Sequence, residues 1–549
     1  MRKILITFLF LFLYSIFFLP LNAQTWKELD SIGKEHYQNG DYENANKVFE
    51  KALKQAGVEF GKNDSNYAKA LYNLAEVLNE SGKYDKAESL YLDAVKIIKK
   101  TLGEKHPDYT ESLNSLSVLY KRTGKYDKAE KLCKEALNIK KEIFGEKHIS
   151  YATSLNNLAE LYHDLGQYDK AEKLYKDALN IKREILGDKH PDYATTLNNL
   201  GTLYDDMGQF NVAEPLYKEV MKIDKETLGE KHSYYASDLN NLGALYFKMG
   251  QYEKSEPLYL ESVKINKEIL GNKHPEYAIS LNNLAELYRV LKKFKEAELL
   301  NQEVIKIRKE VFGEKHPIYA RSLNNLATLY SEIGQNDKSK SLYEEALKID
   351  KIVFGEKHIN YAMDLNNLAG LLISEGKYAD AEVLYSKEVK IFKEALGEKH
   401  PYYAASLYNL AMTYSSMMQN EKAEQLFAEV RERISEQLKT YYPSLSEYEK
   451  TKFIKSIEDY FDGFYSFGIK RFSENNSFSK EVIELRNNTK GLILSSTSNI
   501  RKRITESKNQ ELIEEFNKLL SLRTEIGKIY SKTIEEQKEK EINLTDIER

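Results

Sequence analysis

The chain has little of what cofactor sites, disulfides and nucleic-acid surfaces require. Its 549 residues include a single cysteine, so no disulfide can form within the chain. Lys and Arg number 81 against 85 Asp and Glu, and the net charge of −4 lacks the basic excess of a nucleic-acid-binding protein. No Gly-rich phosphate loop, His-Glu-x-x-His, Cys-x-x-Cys or Gly-x-Ser-x-Gly motif occurs. We therefore expect no enzyme, no bound metal, no cofactor and no nucleic-acid partner.

Only one long apolar run is present, and it lies at the N-terminus. Arg2 and Lys3 precede the apolar residues 4–18, and the small residue Ala23 precedes Gln24 as a cleavage point would require. This pattern predicts a signal peptide over residues 1–23 and an exported protein, periplasmic or secreted. The alternative is a retained membrane anchor, although the run is shorter than the ~20 residues of a spanning helix. No cysteine follows the run to carry a lipid.

The dominant feature of the chain is a repeat of 42 residues. The sequence Gly-x-Lys-His occurs eight times at this spacing, and it begins at Gly103, Gly145, Gly187, Gly229, Gly271, Gly313, Gly355 and Gly397. A strict period of this length indicates a solenoid of stacked helix pairs, which adds units without needing one large core.

Each repeat predicts two helices. In one copy, apolar residues recur at spacings of three and four from Tyr151 to Tyr162, which is one face of a helix. Gly166 breaks this helix, the second runs from about Tyr168 to Leu186, and Gly187 ends it. We count ten such units over residues 24–437, with the least regular ones at the two ends, where a stack must face water.

Small residues recur at fixed points of the two helices. The position of Ala159 is Ala, Gly or Ser in its equivalents, and the position of Ala171 is Ala or Ser. Small side chains let paired helices approach closely while Tyr and Leu interlock around them. Cys133 stands where other repeats have Tyr, which favours a buried core residue over a reactive thiol.

These residues resemble the tetratricopeptide pattern, and the 42-residue unit resembles the repeats of kinesin light chains and their bacterial relatives. The motifs Leu-Asn-Asn-Leu-Ala, Gly-Lys-Tyr-x-x-Ala-Glu and Leu-Gly-Glu-Lys-His-Pro carry the likeness over residues 25 to about 437. The resemblance implies an all-α fold, a right-handed α-solenoid of about ten helix pairs. It also implies a protein or peptide partner that lies in the concave groove.

The resemblance assigns the groove to one row of asparagines. In kinesin light chains, Asn residues of the first helix face the groove and hold the main chain of extended peptides. The matching residues here, each preceded by another Asn, are Asn157, Asn199, Asn241, Asn283, Asn325 and Asn367. An amide can both donate to and accept from a peptide backbone. The alternative is that these side chains bond between neighbouring repeats and hold the stack in register.

Eight of the ten histidines lie in the Gly-x-Lys-His loops and suggest a metal array. Zinc holds ligand nitrogens at ~2.0–2.1 Å, whereas equivalent loops of stacked repeats are about twice the 8–10 Å helix spacing apart. Adjacent loops therefore cannot share an ion. We expect these histidines to make hydrogen bonds at the turn, where one helix ends and the next begins.

Residues 438–549 leave the repeat and still read as helical. The segments 445–472 and 488–496 resemble the helical connector that precedes CHAT domains, which resemble caspases and use a His and a Cys. No His follows His400 and no Cys follows Cys133, so we expect a chain without that catalytic part, a truncated relative or a fragment. The predicted function is an exported interaction scaffold; the alternative is the regulatory or substrate-binding half of a CHAT-type protease.

Overall fold

The computed structural model describes residues 24–440 together with residues 463–464, 466–469, 471 and 480. Contacts divide the chain into two compact units, Met1–Ser435 and Glu436–Arg549. The predicted signal peptide and nearly all of the connector-like segment lie outside the described residues, so export, the boundary at residues 437 and 438, and the CHAT resemblance stay predictions. The described residues beyond 440 are helical.

Residues 26–440 form twenty helices, numbered α1 to α20, in ten pairs that we call units 1 to 10. The first helices of the units (odd numbers) are Trp26–Gln38, Ser65–Glu80, Pro107–Arg122, Ile149–Asp164, Pro191–Asp206, Ser233–Lys248, Pro275–Val290, Pro317–Glu332, Ile359–Ser374 and Pro401–Ser416. The second helices (even numbers) are Tyr42–Glu59, Tyr84–Thr101, Tyr126–Phe144, Tyr168–Leu186, Phe210–Thr227, Tyr252–Leu270, Phe294–Phe312, Asn336–Phe354, Tyr378–Leu396 and Asn420–Thr440. A hairpin turn joins the two helices of a unit, and a connecting loop joins one unit to the next.

Small residues and aromatic rings hold most of the pairs together, as predicted. In unit 6, a Cβ added to Gly243 would lie 2.9 Å from the ring of Tyr259, so the two helices touch at this point. In unit 3, Cys133 takes the place of the ring, is 4% exposed and donates to the Ser117 hydroxyl. Burial raises the pKa of its thiol, which favours an inert core residue.

The loop histidines begin the first helices. In α7 the backbone N–H of Ser150 donates to Nδ1 of His148 at 3.1 Å, and the other seven make the equivalent bond. This confirms their predicted role at the helix end. Helix α7 begins at Ile149, two residues before the predicted start at Tyr151. The apolar pattern misses the capped first turn because that turn lies outside the periodic face.

The solenoid also contacts itself over long distances, which the sequence did not predict. The second ring nitrogen of three loop histidines, Nε2, meets the carbonyl at the end of a first helix 236 residues earlier. The separations are 3.5 Å for His274 and Gln38, 3.0 Å for His316 and Glu80, and 3.0 Å for His358 and Arg122. Because a backbone N–H donates to Nδ1, the neutral ring carries its proton on Nε2 and donates it to the carbonyl. The superhelix therefore closes on itself after five to six units.

Aromatic stacking and glycine extend this contact, which we call the inter-turn seam. The ring of Phe354 stacks on His358 at 4.1 Å and on Tyr84 of the earlier turn at 5.5 Å. A Cβ on Gly82 would lie 3.0 Å from the ring of His316, and one on Gly166 would lie 3.1 Å from that of His400. The hairpin glycines of units 1 to 4 therefore serve close approach as well as the positive φ that ends a helix.

Burial in the seam lowers the pKa of three histidines, His316, His358 and His400, to about 4. The folded state thus binds these protons less readily than the unfolded chain does. Their contribution to stability is present above about pH 6.5 and is lost as the pH falls toward 4.

A row of buried polar groups lies where each second helix meets the next first helix. Lys182 donates to Thr196, Asn266 to Ser280 and Arg308 to Ser322. Two junctions between units instead place carboxyl groups at both positions of the row. These are Asp224 beside Asp238, and Asp350 beside Asp364.

Burial acts on both acids of the pair in units 8 and 9, and repulsion by Asp364 adds to it at Asp350, where the nearby Arg321 opposes the rise in pKa. The pKa of Asp350 rises to about 8 and that of Asp364 to about 7, and the two side chains are 4% and 2% exposed. A raised folded pKa gives stability that is present below about pH 4 and is lost as the pH rises through 8.

The seam predicts that substituting two histidines at the same repeat position, His358 and His190, lowers the free energy of unfolding by different amounts. His358→Asn keeps an N-cap, since Asp64 caps α3 in the same repeat position, but it leaves the Arg122 carbonyl unpaired. We expect a loss of about 1–3 kcal/mol in the free energy of unfolding, measured by urea denaturation. The control is His190→Asn, which lies in a loop outside the seam and should cost under about 0.5 kcal/mol. Equal losses would show that only the cap matters.

The acid pair predicts a stability that depends on pH. Asp350→Asn places at this site the residue that unit 6 already has in Asn266, and it removes one buried ionisation. We expect the variant to be more stable than the parent by about 1–3 kcal/mol at pH 8.5, with a smaller difference at pH 5. The exposed Asp93→Asn is the control. Parallel pH curves for parent and Asp350→Asn would contradict the assignment.

Candidate peptide-binding groove

The first helices line the inner side of the curve. Neighbouring first helices contact one another, whereas the second helices lie on the outside of each pair. The Tyr hydroxyl near the end of one first helix also donates to a Glu on the preceding second helix, as Tyr246 does to Glu214 at 2.9 Å. These contacts fix the spacing of the inner surface.

A row of asparagine pairs runs along this inner surface. At five places among the described residues, the second Asn donates its Nδ2 hydrogen to Oδ1 of the first Asn one unit earlier, 43 residues away. The distances are 3.2 Å for Asn199 and Asn156, 3.0 Å for Asn241 and Asn198, 3.0 Å for Asn283 and Asn240, 2.7 Å for Asn325 and Asn282, and 2.9 Å for Asn409 and Asn366. We call each such bond an asparagine rung. The rungs link neighbouring first helices, which is the register role that the sequence left as the alternative.

Near the N-terminal end, other residues make the equivalent contact between neighbouring first helices. Asn73 donates to the carboxylate of Asp30, and the hydroxyls of Tyr72 and Ser115 lie 2.7 Å apart. A large Tyr at the first position is thus matched by a small Ser at the second. The geometry of the rung is kept although the chemistry changes.

Two of the six predicted groove residues, Asn157 and Asn367, make no rung among the described residues. The Oδ1 atoms that would accept from them, on Asn114 and Asn324, are buried without a partner. In unit 8 the amide of Asn324 donates instead to Asp364 at 2.6 Å. All six predicted residues are half-buried and share the inner surface. Their role in holding a peptide stays a prediction.

A cavity of about 410 Å³ opens between units 7 and 8 and was not predicted. It is lined by Asn282, Asn283 and Asn325 of the rungs together with Arg308 and Arg321. Glu286 also lines it, but its carboxylate is bound by Arg289 at 2.5–2.8 Å.

Of the two guanidinium groups of this cavity, that of Arg308 faces neutral acceptors, and that of Arg321 lies near the carboxyl of Asp350. Arg308 is 2% exposed and donates to the Ser322 hydroxyl at 2.8 Å and weakly to the Ile318 carbonyl. Neither Arg308 nor Arg321 forms an ion pair with a described carboxylate. Burial and the nearby Arg321 lower the pKa of Arg308 to about 9. Burial lowers the pKa of Arg321 as well, and the nearby Asp350 offsets part of this effect. The cavity therefore presents positive charge that is not neutralised by an ion pair among the described residues.

Metal-ion sites and membrane-spanning helices are both absent from the described part of the chain. No group of three or more His, Cys, Asp or Glu side chains there could hold a metal ion. None of the helices that the structure describes is long and apolar enough to cross a membrane.

The rungs predict unequal effects of two similar substitutions. Asn241→Asp replaces the donor of a rung by an acceptor, so two oxygens face each other, and we expect a loss of about 1–2 kcal/mol in unfolding free energy. Asn198→Asp keeps the acceptor of the same rung, as Asp30 does for Asn73, and should cost under about 0.5 kcal/mol. Thermal and urea unfolding of both variants check this. If the two lose stability equally, the rung does not contribute.

Comparison with a protein-family model agrees with this architecture. The tetratricopeptide repeat model matches residues 31–100, 66–142, 108–184, 150–226, 234–310, 291–352 and 354–436. The nearly identical TPR-like repeats of a kinesin light chain from Podosopora anserina are 27% identical over 37% of this chain and 97% of that one, with a TM-score of 0.32. BtubC (BKLC) from P. vanneervenii is 22% identical over 45% of this chain and 92% of that one, with a TM-score of 0.34. No curated protein matches. The chain belongs to the tetratricopeptide repeat family.

Proposed function

We propose that the inner surface of the solenoid binds an extended peptide segment of a protein partner. Tetratricopeptide repeats support the coarser statement that this chain is a protein-interaction scaffold. The observation that carries the finer one is the set of polar groups that the rungs leave unused. The protein acts by presenting this surface, without a chemical step.

Each rung uses half of its amide groups. The side chain of Asn241 donates one hydrogen to that of Asn198. This leaves the side-chain oxygen of Asn241 and the side-chain NH₂ group of Asn198 without a described protein partner. An acceptor and a donor side by side match the N–H and C=O groups of a peptide main chain. Register and peptide binding are therefore compatible roles of the same residues.

The spacing of the rungs suits an extended chain. On the inner side of the curve the rungs join neighbouring first helices directly, so these helices lie about 8–10 Å apart there. An extended strand rises about 3.3 Å per residue. A peptide running along the rungs would then meet one rung about every three residues. A partner helix, the other occupant predicted from the sequence, rises only 1.5 Å per residue and matches this spacing less well.

The cavity of units 7 and 8 adds a chemical preference. Neither Arg308 nor Arg321 forms an ion pair among the described residues, although Asp350 lies near enough to act on Arg321. A planar guanidinium binds a carboxylate with two parallel hydrogen bonds. We therefore expect the bound peptide to carry an Asp or Glu side chain at this point.

Peptide display on the solenoid tests the proposal. A random peptide library selected on the chain from Gln24 should yield sequences with an acidic residue at one fixed position. Arg321→Ala should weaken the selected peptide about 10-fold or more, the loss of a charge-assisted hydrogen bond of about 1.5–3 kcal/mol. Lys69→Ala, at the same repeat position outside the cavity, is the matched control and should leave affinity unchanged.

A second variant separates binding from folding. Asn198→Asp with Asn240→Asp keeps both rung acceptors but removes two amide donors from the groove, so affinity should fall while the unfolding midpoint stays within about 2 °C. Calorimetric titration measures the affinity. The inner surface is not the binding site if no peptide is enriched, or if the affinity is the same for the parent, the Arg321 variant and the Asn variant.

A further inference from the structure

The inter-turn seam consists of two halves, and each half also occurs unpaired in the same molecule. The donating half is a connecting loop with its histidine, and the receiving half is a hairpin turn with its glycine and the last carbonyl of the first helix. Within the chain, the loops after units 6 to 9 sit on the hairpin turns of units 1 to 4. The earlier loops and the later hairpin turns have no such neighbour among the described residues.

The earlier loops present the donating half to solvent. Their histidines cap helices through Nδ1 as the seam histidines do, which leaves the Nε2 proton available; they are His106, His148, His190 and His232. The stack of Phe144 on His148, at 4.4 Å and 13°, repeats the stack of Phe354 on His358 at 4.1 Å and 9°. Only the second stack is covered by an earlier Tyr, Tyr84.

The later hairpin turns present the receiving half. Gly334 and Gly376, in units 8 and 9, have φ of 76° and 74°, close to the 69° of Gly82 in the seam. A Cβ on either would meet no described atom within 4 Å, and both glycines are exposed. The carbonyls of Glu332 and Ser374 stand where the seam uses those of Glu80 and Arg122, and a helix offers no internal partner to such terminal groups.

We propose that a second copy of this chain docks its loops at His148 and His190 on the hairpin turns at Gly334 and Gly376 of the first. The seam within the chain offsets loop and hairpin turn by five units, and this pairing continues the same offset from one molecule to the next. Donating loops lie in the N-terminal half and receiving turns in the C-terminal half. The contact is therefore head-to-tail, and repetition extends an open superhelical chain instead of closing a symmetric dimer.

Two side chains limit the contact to these two loops. Lys292 and Met418 replace the hairpin glycine in units 7 and 10, with φ of 59° and 58°. In the seam, a Cβ at this position would lie 3.0–3.1 Å from the ring of His316 or His358. Both side chains flank the receiving turns and obstruct the places that His106 and His232 would occupy, so the self-association of the parent chain is weak.

Sedimentation equilibrium of the full chain tests the proposal with one variant that should strengthen self-association and one that should weaken it. Lys292→Gly with Met418→Gly opens two more receiving turns, and we expect self-association to strengthen at least 10-fold. His148→Asn with His190→Asn keeps the helix caps and removes both Nε2 donors, so association should weaken at least 10-fold. Thermal unfolding of each variant shows whether the fold is kept, since none of the four residues lies in the seam within the chain.

Cross-linking between two single variants tests the direction. Lys147→Cys lies beside His148, and Gln335→Cys lies beside Gly334; the only native thiol, Cys133, is 4% exposed. A short bis-maleimide should join the two variants when they are mixed and should leave each alone unlinked. The proposal is overturned if the glycine variant stays monomeric at the highest concentration reached. It is equally overturned if association ignores the histidine variant, or if either cysteine variant cross-links to itself.

Discussion

The close approach of the two helices within a unit sets every later distance in the solenoid. Tyr259 lies against Gly243 so tightly that a Cβ there would come within 2.9 Å of the ring, and other units pair a small residue with a ring in the same place. Because this contact repeats, each unit is rotated from the last by nearly the same amount. Equal rotations bring the chain back onto itself after five to six units, and the carbonyl of Glu80 then meets His316.

The elements that depend on local chemistry could be predicted, and those that depend on accumulated rotation could not. Apolar spacing and flanking glycines located the helix Tyr168–Leu186 at the bounds that the structure has. The same reasoning assigned Gly166 to the end of a helix, and the 42-residue period extends this assignment to Gly82. It could not show that His316 lies over this glycine, since that contact joins residues more than five units apart. The sequence did contain one sign of this contact. At the hairpin position that Gly82 occupies, Lys292 and Met418 replace glycine, and both lie in hairpin turns outside the seam.

The candidate site shows the same division. The amide of an asparagine donates and accepts equally well, so residue type alone left peptide binding and register both open for Asn241. The pairing of Tyr72 with Ser115, 43 residues apart, carried the missing signal, because a change of size at one position is compensated at the other. Arg308 and Arg321 escaped prediction because they lie on different helices and meet only when units 7 and 8 pack.

The seam changes how such a solenoid holds together. A stack whose units touch only their neighbours is stabilised by the sum of local interfaces, whereas His358 ties the loop after unit 8 to Arg122 of unit 3. Both this contact and the rung of Asn241 and Asn198 require the same rotation between units. An occupant that holds the rungs at this rotation therefore also holds the seam, and a seam that opens alters the rungs. Because coupling free energies are reciprocal, the proposed peptide and the closure of the superhelix would each strengthen the other.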